Sequence, residues 1–414
     1  MIDESSYDRR RLRQWLAGDA RADGVTRRDM LRLLAAAGAG AAGVAGIGAT
    51  PAAAEGPGIV KPIPEDLFTV RGTNAETRWA ALHDTGYHTP VDRFFVRNHT
   101  STPVIDPDDW TLRVWGSGLH GSGAVFGLDD LRALPSVTLS AFVECAGNGR
   151  SFYATQQAEP VSGTPWTLGA VGVARWRGVP LGEVLRRAGL GRAAVDVMPR
   201  GLDDEFVSGG VNLGRVRRPM PVAKALDDVL LVHEMNGAPL PPDHGSPVRV
   251  LVPSWVGIAS IKWVGDIEVS ATPLYSPWNT DFYRLFGASY PATGSAPLGR
   301  QTIKSAFELA WNAEFGAGRT HRLTGRSWSG AGGVRQVDVS VDGGARWRPA
   351  VLHDAPRRHG WVRWSYDWTP ATAGPAELLA RATDVRGTTQ PERSVHNTQG
   401  YLFDAVVRHP VTVV

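Results

Sequence analysis

The chain has 414 residues and a single cysteine, Cys145, which lies in the segment Phe142–Arg150 (FVECAGNGR). One thiol cannot form an intrachain disulfide, a zinc knuckle or an iron–sulfur cage. It is therefore either an inert buried side chain or a single soft ligand or nucleophile. Gly147 and Asn148 signal a turn after an apolar, β-prone run. We expect the thiol at the end of a strand, where Arg150 could favour the thiolate form.

Three further segments concentrate cationic and imidazole side chains. They are Phe94–His99 (FFVRNH), Asp243–Arg249 (DHGSPVR) and Ser260–Trp263 (SIKW). Arginine and lysine beside glycine-containing loops suit a phosphate or another oxyanion, through charge-assisted and bidentate hydrogen bonds. Surface ion pairs or caps are the alternative interpretation of each segment. The alternative is weaker for Lys262, because its apolar neighbours indicate a buried ammonium that needs a partner.

Other chemistries find little support in the motifs. The sequence has no HExxH, GxSxG, P-loop, CxxC or CxxCH pattern, which argues against zincin, esterase, NTPase, iron–sulfur and c-type haem functions. A Cys–His protease stays open, with Cys145 as nucleophile and His99 or His244 as base. Alternatively, the thiolate could bind a redox-active metal whose other ligands come from an organic cofactor. The 44 basic residues are spread thinly over a chain of net charge +3, which argues against nucleic acid as the main partner.

Short strands and turns must position these residues. With 48 Gly, 29 Pro and few long helical patterns, the composition is typical of a turn-rich, mostly β chain. Trp110–Trp115 and Arg249–Pro253 are predicted strands, and Leu181–Gly189 is a predicted helix that Gly189 ends. After Ile303, alternating runs separated by glycine turns predict a separate β-sandwich of about 110 residues.

The first 54 residues are predicted to be a signal peptide outside the fold. Arg27 and Arg28 precede a stretch made largely of Ala and Gly, and an A-x-A cleavage signal stands before Glu55. Consecutive arginines and weak hydrophobicity favour a Tat signal over a Sec signal or an uncleaved anchor. We therefore expect export to the periplasm or another extracytoplasmic compartment, with no stable membrane span after cleavage. An N-terminal arm would follow over residues 55–90, a catalytic domain over 91–300 and the β-sandwich over 301–414.

In order and spacing, the motifs resemble the sulfite oxidase family of molybdenum–pterin enzymes. The matching segments are FFVRNH at 94–99, CAGNGR at 145–150, WTLGAVGVARWRGVPL at 166–181, GLD at 201–203, LVHEMNGAPLPPDHGSPVR at 231–249 and SIKW at 260–263. VSVDGGARW at 339–347 resembles the family's immunoglobulin-like dimerisation domain. The resemblance implies an α+β, mostly β fold: a molybdopterin-binding domain followed by an immunoglobulin-like β-sandwich.

The resemblance also implies roles for individual residues. Cys145 would be the thiolate ligand of molybdenum, Arg97 and Arg150 would face an oxyanion pocket, and Tyr283 would lie beside the metal. The side chains implied to line the pterin cofactor are Phe95, Val96, Arg97, Asn98, His99, Asp203, His244, Arg249, Ser260, Ile261 and Lys262. Asp204 competes with Asp203 in this set, because the register could slip by one residue.

The activity implied is oxygen-atom transfer to a small sulfur oxyanion, sulfite giving sulfate. Electrons would leave to a separate c-type cytochrome or haem subunit, because we expect no haem, flavin or iron–sulfur centre in this chain. A homodimer is expected.

Two departures from the vertebrate-type members concern the charge of the pocket. Gly149 precedes Arg150 where those members have consecutive arginines, and Gln399 stands where they place another arginine. A less cationic pocket should bind a dianion more weakly, which keeps a sulfane dehydrogenase or a sulfoxide reductase open. A cofactor-free binding module is a third alternative. Such a module would be expected to have lost some of the cofactor-binding residues, but Cys145, Arg97 and Lys262 are all present.

Overall fold

The computed structural model describes residues 58–414. The predicted signal peptide lies outside the described residues. Within residues 58–414, no helix is both long enough and apolar enough to cross a membrane.

Strands dominate the N-terminal two-thirds of the described chain. In chain order they are β1 Phe68–Arg71, β2 Asn74–Thr77, β3 Thr111–Trp115, β4 Ala124–Gly127, β5 Val137–Glu144, β6 Val171–Pro180, β7 Asp196–Gly201, β8 Val207–Ser208, β9 Val211–Asn212, β10 Met220–Pro221, β11 Leu230–Met235, β12 Ala238–Pro239, β13 Arg249–Leu251 and β14 Val264–Ser270. The α-helices are short: α1 Leu128–Arg132, α2 Ser151–Thr155, α3 Leu181–Arg187, α4 Val222–Asp227 and α5 Pro277–Thr280. Single 3₁₀ turns occupy Trp79–Leu82, Val91–Arg93, Pro242–His244 and Gly257–Ala259.

A mixed sheet and an antiparallel sheet form the first domain. One has the order β10-β7-β14-β3-β4, and the other has the order β12-β11-β6-β5 with β13 paired to β11. A large apolar cluster joins them, with Val114 and Ile267 from the first sheet and Val179, Leu231 and Val250 from the second. The second sheet buries its other face as well, which explains why β6 and β11 are apolar over most of their length.

The C-terminal part of the chain is a β-sandwich, as the alternating runs predict. Its strands are β15 Lys304–Phe307, β16 Ala313–Phe315, β17 His321–Trp328, β18 Val334–Ser340, β19 Arg348–Pro349, β20 Val351–Leu352, β21 Trp361–Trp368, β22 Gly374–Asp384 and β23 Arg408–Val413. One sheet has the order β15-β17-β21-β20 and the other β16-β23-β22-β18-β19. Leu323 and Trp364 from the first pack against Val337, Val339 and Leu378 from the second. The immunoglobulin-like topology stays a prediction.

The sandwich and the first domain share a core, so the boundary is less sharp than the sequence pattern indicates. Trp79 stacks on Trp328 with ring centroids 5.8 Å apart. Both rings belong to an apolar cluster that includes Phe142 of β5. Between β22 and β23 the chain also returns to the first domain, where the Leu402 amide donates to the Ala146 carbonyl at 2.8 Å. Residues 394–407 therefore help to build the region around Cys145.

Candidate active site

A cleft of about 730 Å³, partly open to solvent, lies where β5, the Phe94–His99 segment and the β13–β14 connection meet. The structure brings most of the residues singled out in the sequence to its wall. They are Phe95, Arg97, Asn98, His99, Cys145, Asp203, His244, Arg249, Ser260, Ile261, Lys262 and Tyr283. We call the part formed by Cys145, Arg97 and Tyr283, with Tyr401 stacked on Tyr283, the thiol end. The part formed by Lys262, Arg249, His244 and Asp203 is the cationic end.

Two predicted residues lie outside this wall. Val96 packs with Phe68 and Ala75 in a separate apolar cluster, and its backbone groups bond to those of Ala75. The Arg150 guanidinium lies behind the thiol end, where Nε donates to the Gln399 carbonyl and Nη1 to the Thr164 carbonyl, both at 3.1 Å. Arg150 therefore supports the cleft from behind in this structure and does not face it.

The Cys145 thiol follows the last residue of β5, as the turn signals predict. The backbone of Cys145 is held on both sides: its amide donates to the Ala170 carbonyl, and its carbonyl accepts from the Asn148 amide, each at 3.0 Å. Gly149 has a φ of 92°, and a Cβ there would lie 3.0 Å from the Phe403 ring. The left-handed backbone and this close approach favour glycine at position 149, where the vertebrate-type members have an arginine.

Two aromatic rings and two guanidiniums surround the thiol end. Tyr283 and Tyr401 stack with centroids 5.0 Å apart, and the Arg150 guanidinium lies 5.2 Å from the Tyr401 ring centroid. Burial raises the pKa of both phenols above the usual value near 10, so both are protonated at neutral pH. Burial alone would lower the pKa of Arg97, but Tyr283 and Cys145 outweigh it and raise that pKa. Arg97 is thus a permanent cation beside the thiol.

Tyr283 also has a strained backbone. Its φ of 56° lies in the left-handed region, which is uncommon for an aromatic residue. Such a conformation costs about 1 kcal/mol or more and persists only where surrounding contacts impose it. The stacking on Tyr401 is one such contact.

Gln399 lies next to the thiol end without adding charge to it. Its side-chain Nε2 donates to the Asp281 backbone carbonyl at 2.9 Å, and the backbone carbonyl of Gln399 accepts from Arg150 Nε. The amide thus ties two loops together. The position where an arginine was expected supplies no cation to the cleft.

The cationic end is held by hydrogen bonds to backbone carbonyls. Lys262 Nζ donates to the Asp243 carbonyl at 2.8 Å and to Asn98 Oδ1. Arg249 Nη1 and Nη2 donate to the His244 and Ser260 carbonyls, both at 3.0 Å. Burial lowers the pKa of Arg249 to about 9, and burial followed by the Arg249 charge lowers that of Lys262 well below 10.5. Two cations held together in a dry site favour a bound anion.

The imidazoles of the cleft are neutral. Burial, reinforced by the nearby cations, lowers the pKa of His99 and of His244 well below 6.5. Trp278 Nε1 donates to His99 Nε2 at 3.1 Å, so the neutral His99 ring carries its proton on Nδ1. Both rings can therefore form hydrogen bonds to a neutral heterocycle without bringing a further charge into the site.

The structure also distinguishes Asp203 from its neighbour. Asp203 is buried and lines the cleft, whereas Asp204 is exposed. Burial raises the pKa of the Asp203 carboxyl to about 6, against the opposing effect of Lys262. Of the two registers, the one with Asp203 places a carboxyl in the site.

Several residues in or next to the cleft were not predicted from the sequence. Asp243 lines the cleft, and Trp278 positions His99. Tyr401 stacks on Tyr283, and Phe206 packs edge-on against His99 at 5.1 Å. Asp243 belongs to a quoted motif and could have been found there. Tyr401 lies in the predicted β-sandwich, and no local signal links it to Cys145.

Three buried polar atoms of the cleft have no hydrogen-bond partner within the described chain. They are Arg97 Nη1, Asp203 Oδ1 and His244 Nε2. Buried polar groups are seldom left unsatisfied, so such atoms are expected to bind a polar ligand. A pterin with an anionic tail matches these donors and acceptors together with the two cations. A thiol at the other end matches a soft metal carried by that pterin. The residues present therefore fit a molybdenum–pterin group.

Comparisons with known proteins agree with this geometry. The sequence profile of the oxidoreductase molybdopterin binding domain matches residues 99–278, and that of the Mo-co oxidoreductase dimerisation domain matches residues 308–413. Among solved structures, the chain is similar to the sulfane dehydrogenase SoxCD from Paracoccus pantotrophus. The TM-score is 0.70 with 26% sequence identity, over 81% of this chain and 83% of that one.

Sulfite oxidases are among the similar sequences. Identity is 36% over 338 residues with the mitochondrial enzyme of Homo sapiens, covering 77% of this chain and 60% of that protein. It is 35% over 340 residues with the enzyme of Gallus gallus, covering 77% and 71%. It is 30% over 355 residues with that of Arabidopsis thaliana, covering 80% and 89%. The chain thus spans about three-fifths of the length of the human relative.

Proposed function

The chain belongs to the sulfite oxidase family of molybdopterin-dependent oxidoreductases, and from that premise we propose that it oxidises a small sulfur compound, sulfite in the first instance. The observation that carries the proposal is the pairing of the two ends of one cleft. The only thiol of the chain lies at one end, and buried cations with unsatisfied polar atoms lie at the other.

The cationic end would hold the pterin and its anionic tail. Lys262 and Arg249 offer charge, and His244 Nε2 offers a hydrogen-bonding atom directed at no protein group within the described chain. Because these cations already bond to backbone carbonyls, little side-chain freedom is lost when the anion binds. Cys145 at the other end would bind the metal through its sulfur.

Once bound, the molybdenum group would supply the oxygen-atom transfer and accept two electrons. The protein's contribution follows from the thiol end. Arg97 Nη1, buried and without a partner in the described chain, can donate to an oxygen of a sulfite dianion and stabilise the charge on the product sulfate. The protonated hydroxyl of Tyr283 can donate a second hydrogen bond and orient the substrate.

A second candidate, a sulfane dehydrogenase, is favoured by Gln399 and Arg150. Gln399 carries no charge, and the Arg150 guanidinium is directed at backbone carbonyls and at the Tyr401 ring. Among the residues named for the substrate side, Arg97 is then the one cation on the described cleft wall. A substrate of lower charge than sulfite would suit such a pocket. The similarity to SoxCD supports this candidate.

The two candidates separate in one purification. The protein is produced in a host that makes molybdopterin, bound molybdenum is measured per chain, and turnover is assayed with ferricyanide on sulfite and on a protein-bound persulfide. Near-stoichiometric molybdenum with sulfite turnover supports the first candidate. Molybdenum with turnover of the persulfide alone supports the second. A folded protein without molybdenum would contradict both.

The partners and the location are part of the same proposal. The match to a dimerisation domain over residues 308–413 supports a homodimer. Electrons would pass to a c-type cytochrome or a haem subunit. The twin-arginine pattern of residues 26–31 supports export by the Tat system to an extracytoplasmic compartment. Replacing Arg27 and Arg28 by lysines should leave the protein in the cytoplasm, and unchanged export would contradict the Tat assignment.

A further inference from the structure

Glu144, the residue before Cys145, has a buried carboxylate that the mechanism above does not use. Its Oε1 lies 2.8 Å from Lys304 Nζ and accepts from Asn148 Nδ2 at 2.9 Å. Its Oε2 accepts from Trp328 Nε1 at 2.9 Å. The side chains of Glu144 and Lys304 are 0% and 2% exposed. The carboxylate is thus fully desolvated, and protein groups satisfy it on both oxygens.

The groups that hold Glu144 come largely from the C-terminal part of the chain. Lys304 belongs to β15 and Trp328 to β17, neighbouring strands of the β-sandwich. Gln301 adds a third contact, because its Nε2 donates to the Glu144 carbonyl at 2.7 Å. Residues of the C-terminal part therefore bind the last residue of β5, which directly precedes Cys145.

A short series of hydrogen bonds connects Glu144 to the backbone of Cys145. Glu144 holds the Asn148 amide group, whose Oδ1 accepts from the Ala170 amide at 3.0 Å. The Asn148 backbone amide donates to the Cys145 carbonyl, and the Cys145 amide donates to the Ala170 carbonyl. The turn that carries the thiol is thus fixed to Ala170, the residue directly before β6, and, through Glu144, to the β-sandwich.

We propose that the buried Glu144–Lys304 ion pair is a positioning device by which the β-sandwich fixes the Cys145 thiol in the cleft. Removing one partner of such a pair leaves a buried charge without compensation. The remaining Glu144 carboxylate is then more stable in contact with water than buried. Movement of this side chain towards solvent would displace the end of β5 and the turn after it. The proposal rests on the proposed function only in that Cys145 is taken as the metal ligand.

The test uses the fact that the chain has one cysteine. The full chain is made in a host without molybdopterin, and the rate of Cys145 alkylation by iodoacetamide is measured. In Lys304→Met the rate should rise by about tenfold, because the thiol is only half-exposed and becomes more exposed whenever the turn opens. In Lys304→Arg, which keeps the charge, it should stay within about threefold of the wild type. The double variant Glu144→Gln with Lys304→Met removes both charges of the pair and should fall back towards the wild-type rate.

A second buried ion pair of the sandwich provides the control. Arg326 Nε lies 2.5 Å from Glu308 Oε1, and these side chains are 0% and 7% exposed. Glu308→Gln should therefore lower stability as Lys304→Met does, yet leave alkylation of Cys145 within about twofold of the wild type. Equal alkylation rates in these two variants would overturn the proposal.

Two further measurements test the same ion pair: alkylation of a second variant and the kinetics of the loaded enzyme. If Lys304→Met does not fold, Trp328→Phe removes one hydrogen bond to Glu144. Its alkylation rate should rise about threefold, and a wild-type rate would overturn the proposal. In molybdenum-loaded Lys304→Met, kcat should fall while KM stays within about twofold, because no substrate-facing group has changed. An unchanged kcat would also overturn it. Alkylation needs no bound molybdenum, so a chain that never binds the metal would refute the proposed function and leave this test readable.

Discussion

The two ends of the cleft are built in different ways. At the cationic end, His244 and Arg249 belong to one short motif, and Lys262 belongs to the next motif along the chain. The Arg249 and Lys262 side chains donate to backbone carbonyls of the first motif. At the thiol end, Cys145 and Tyr283 meet Tyr401, which comes from the connection between two strands of the β-sandwich. The cations proposed to hold the cofactor thus lie in contiguous sequence motifs. The groups proposed to contact the substrate lie in segments that only the fold brings together.

The largest effect should follow from changing the thiol end itself. Cys145→Ser removes the soft ligand but leaves every group of the cationic end in place. We expect kcat to fall by more than about 100-fold, since even outer-shell partners of a metal cost 10–100-fold. Pterin content should stay near that of the wild type, as measured by fluorescence of the released pterin. Full activity in this variant would contradict the ligand role.

The opposite pattern should follow from changing the cationic end. Lys262→Met removes a charge-assisted contact, so the affinity for the pterin should fall about 10- to 100-fold. Pterin and molybdenum measured per folded chain report the loss. Lys61→Met is the matched control. Lys61 is also a lysine whose pKa burial lowers, to about 8, but it donates to the Val91 and Phe94 carbonyls and does not line the cleft. Equal cofactor loss in both variants would show a structural effect instead of a binding role.

A gain of charge at the thiol end should raise the affinity for a dianionic substrate. In Gln399→Arg, a guanidinium enters where the amide now bonds to the Asp281 carbonyl. The KM for sulfite should fall by about tenfold, the size expected for one charge-assisted hydrogen bond. Thr398→Arg places the same charge on the exposed neighbouring position and should leave KM within about twofold. A KM for sulfite that does not respond to Gln399→Arg would favour a substrate other than a dianion.

An effect on stability, separate from activity, is expected from Asp203 and depends on pH. Its folded-state pKa of about 6 lies above the usual 3.8. The stability that this carboxyl contributes is therefore present below about pH 4 and is lost as the pH rises through 6. Cofactor-free Asp203→Asn should be more stable than the wild type at pH 7 by about 2 kcal/mol, with little difference at pH 4. Urea unfolding at both pH values measures this.

The exposed neighbour of Asp203 is the control for that measurement. Asp204→Asn should change the unfolding free energy by less than about 0.5 kcal/mol at either pH. Parallel stability curves for wild type and Asp203→Asn would show that the carboxyl is not held in its protonated form.

Much of the framework could be predicted from the sequence, because its signals are local. The predicted strand Trp110–Trp115 corresponds to β3, and the helix at 181–189 to α3 followed by Gly189 in the left-handed region. The sandwich strands follow the alternating runs. In contrast, β1 and β2 form a hairpin in a segment that the sequence presented as a Pro-rich arm. Strands of four residues carry too few alternations to be recognised.

The site could be predicted only as far as its motifs are contiguous. Lys262 and His244 lie on the cleft wall as the motifs imply. The position of Arg150 could not be foreseen, because it depends on the Gln399 and Thr164 carbonyls and on the Tyr401 ring. Contacts between residues about 250 positions apart leave no periodic or compositional signal in a single sequence. Glu144 belongs to the same class, since its partners lie in the β-sandwich.

Both proposed activities require that the Cys145 sulfur binds molybdenum at the thiol end of the cleft. X-ray absorption at the molybdenum edge, on wild type and Cys145→Ser loaded to equal metal content, tests it most directly. If Cys145 is the ligand, the variant should have one sulfur neighbour fewer, with the remaining sulfur neighbours unchanged. An identical number of sulfur neighbours in both proteins would contradict it.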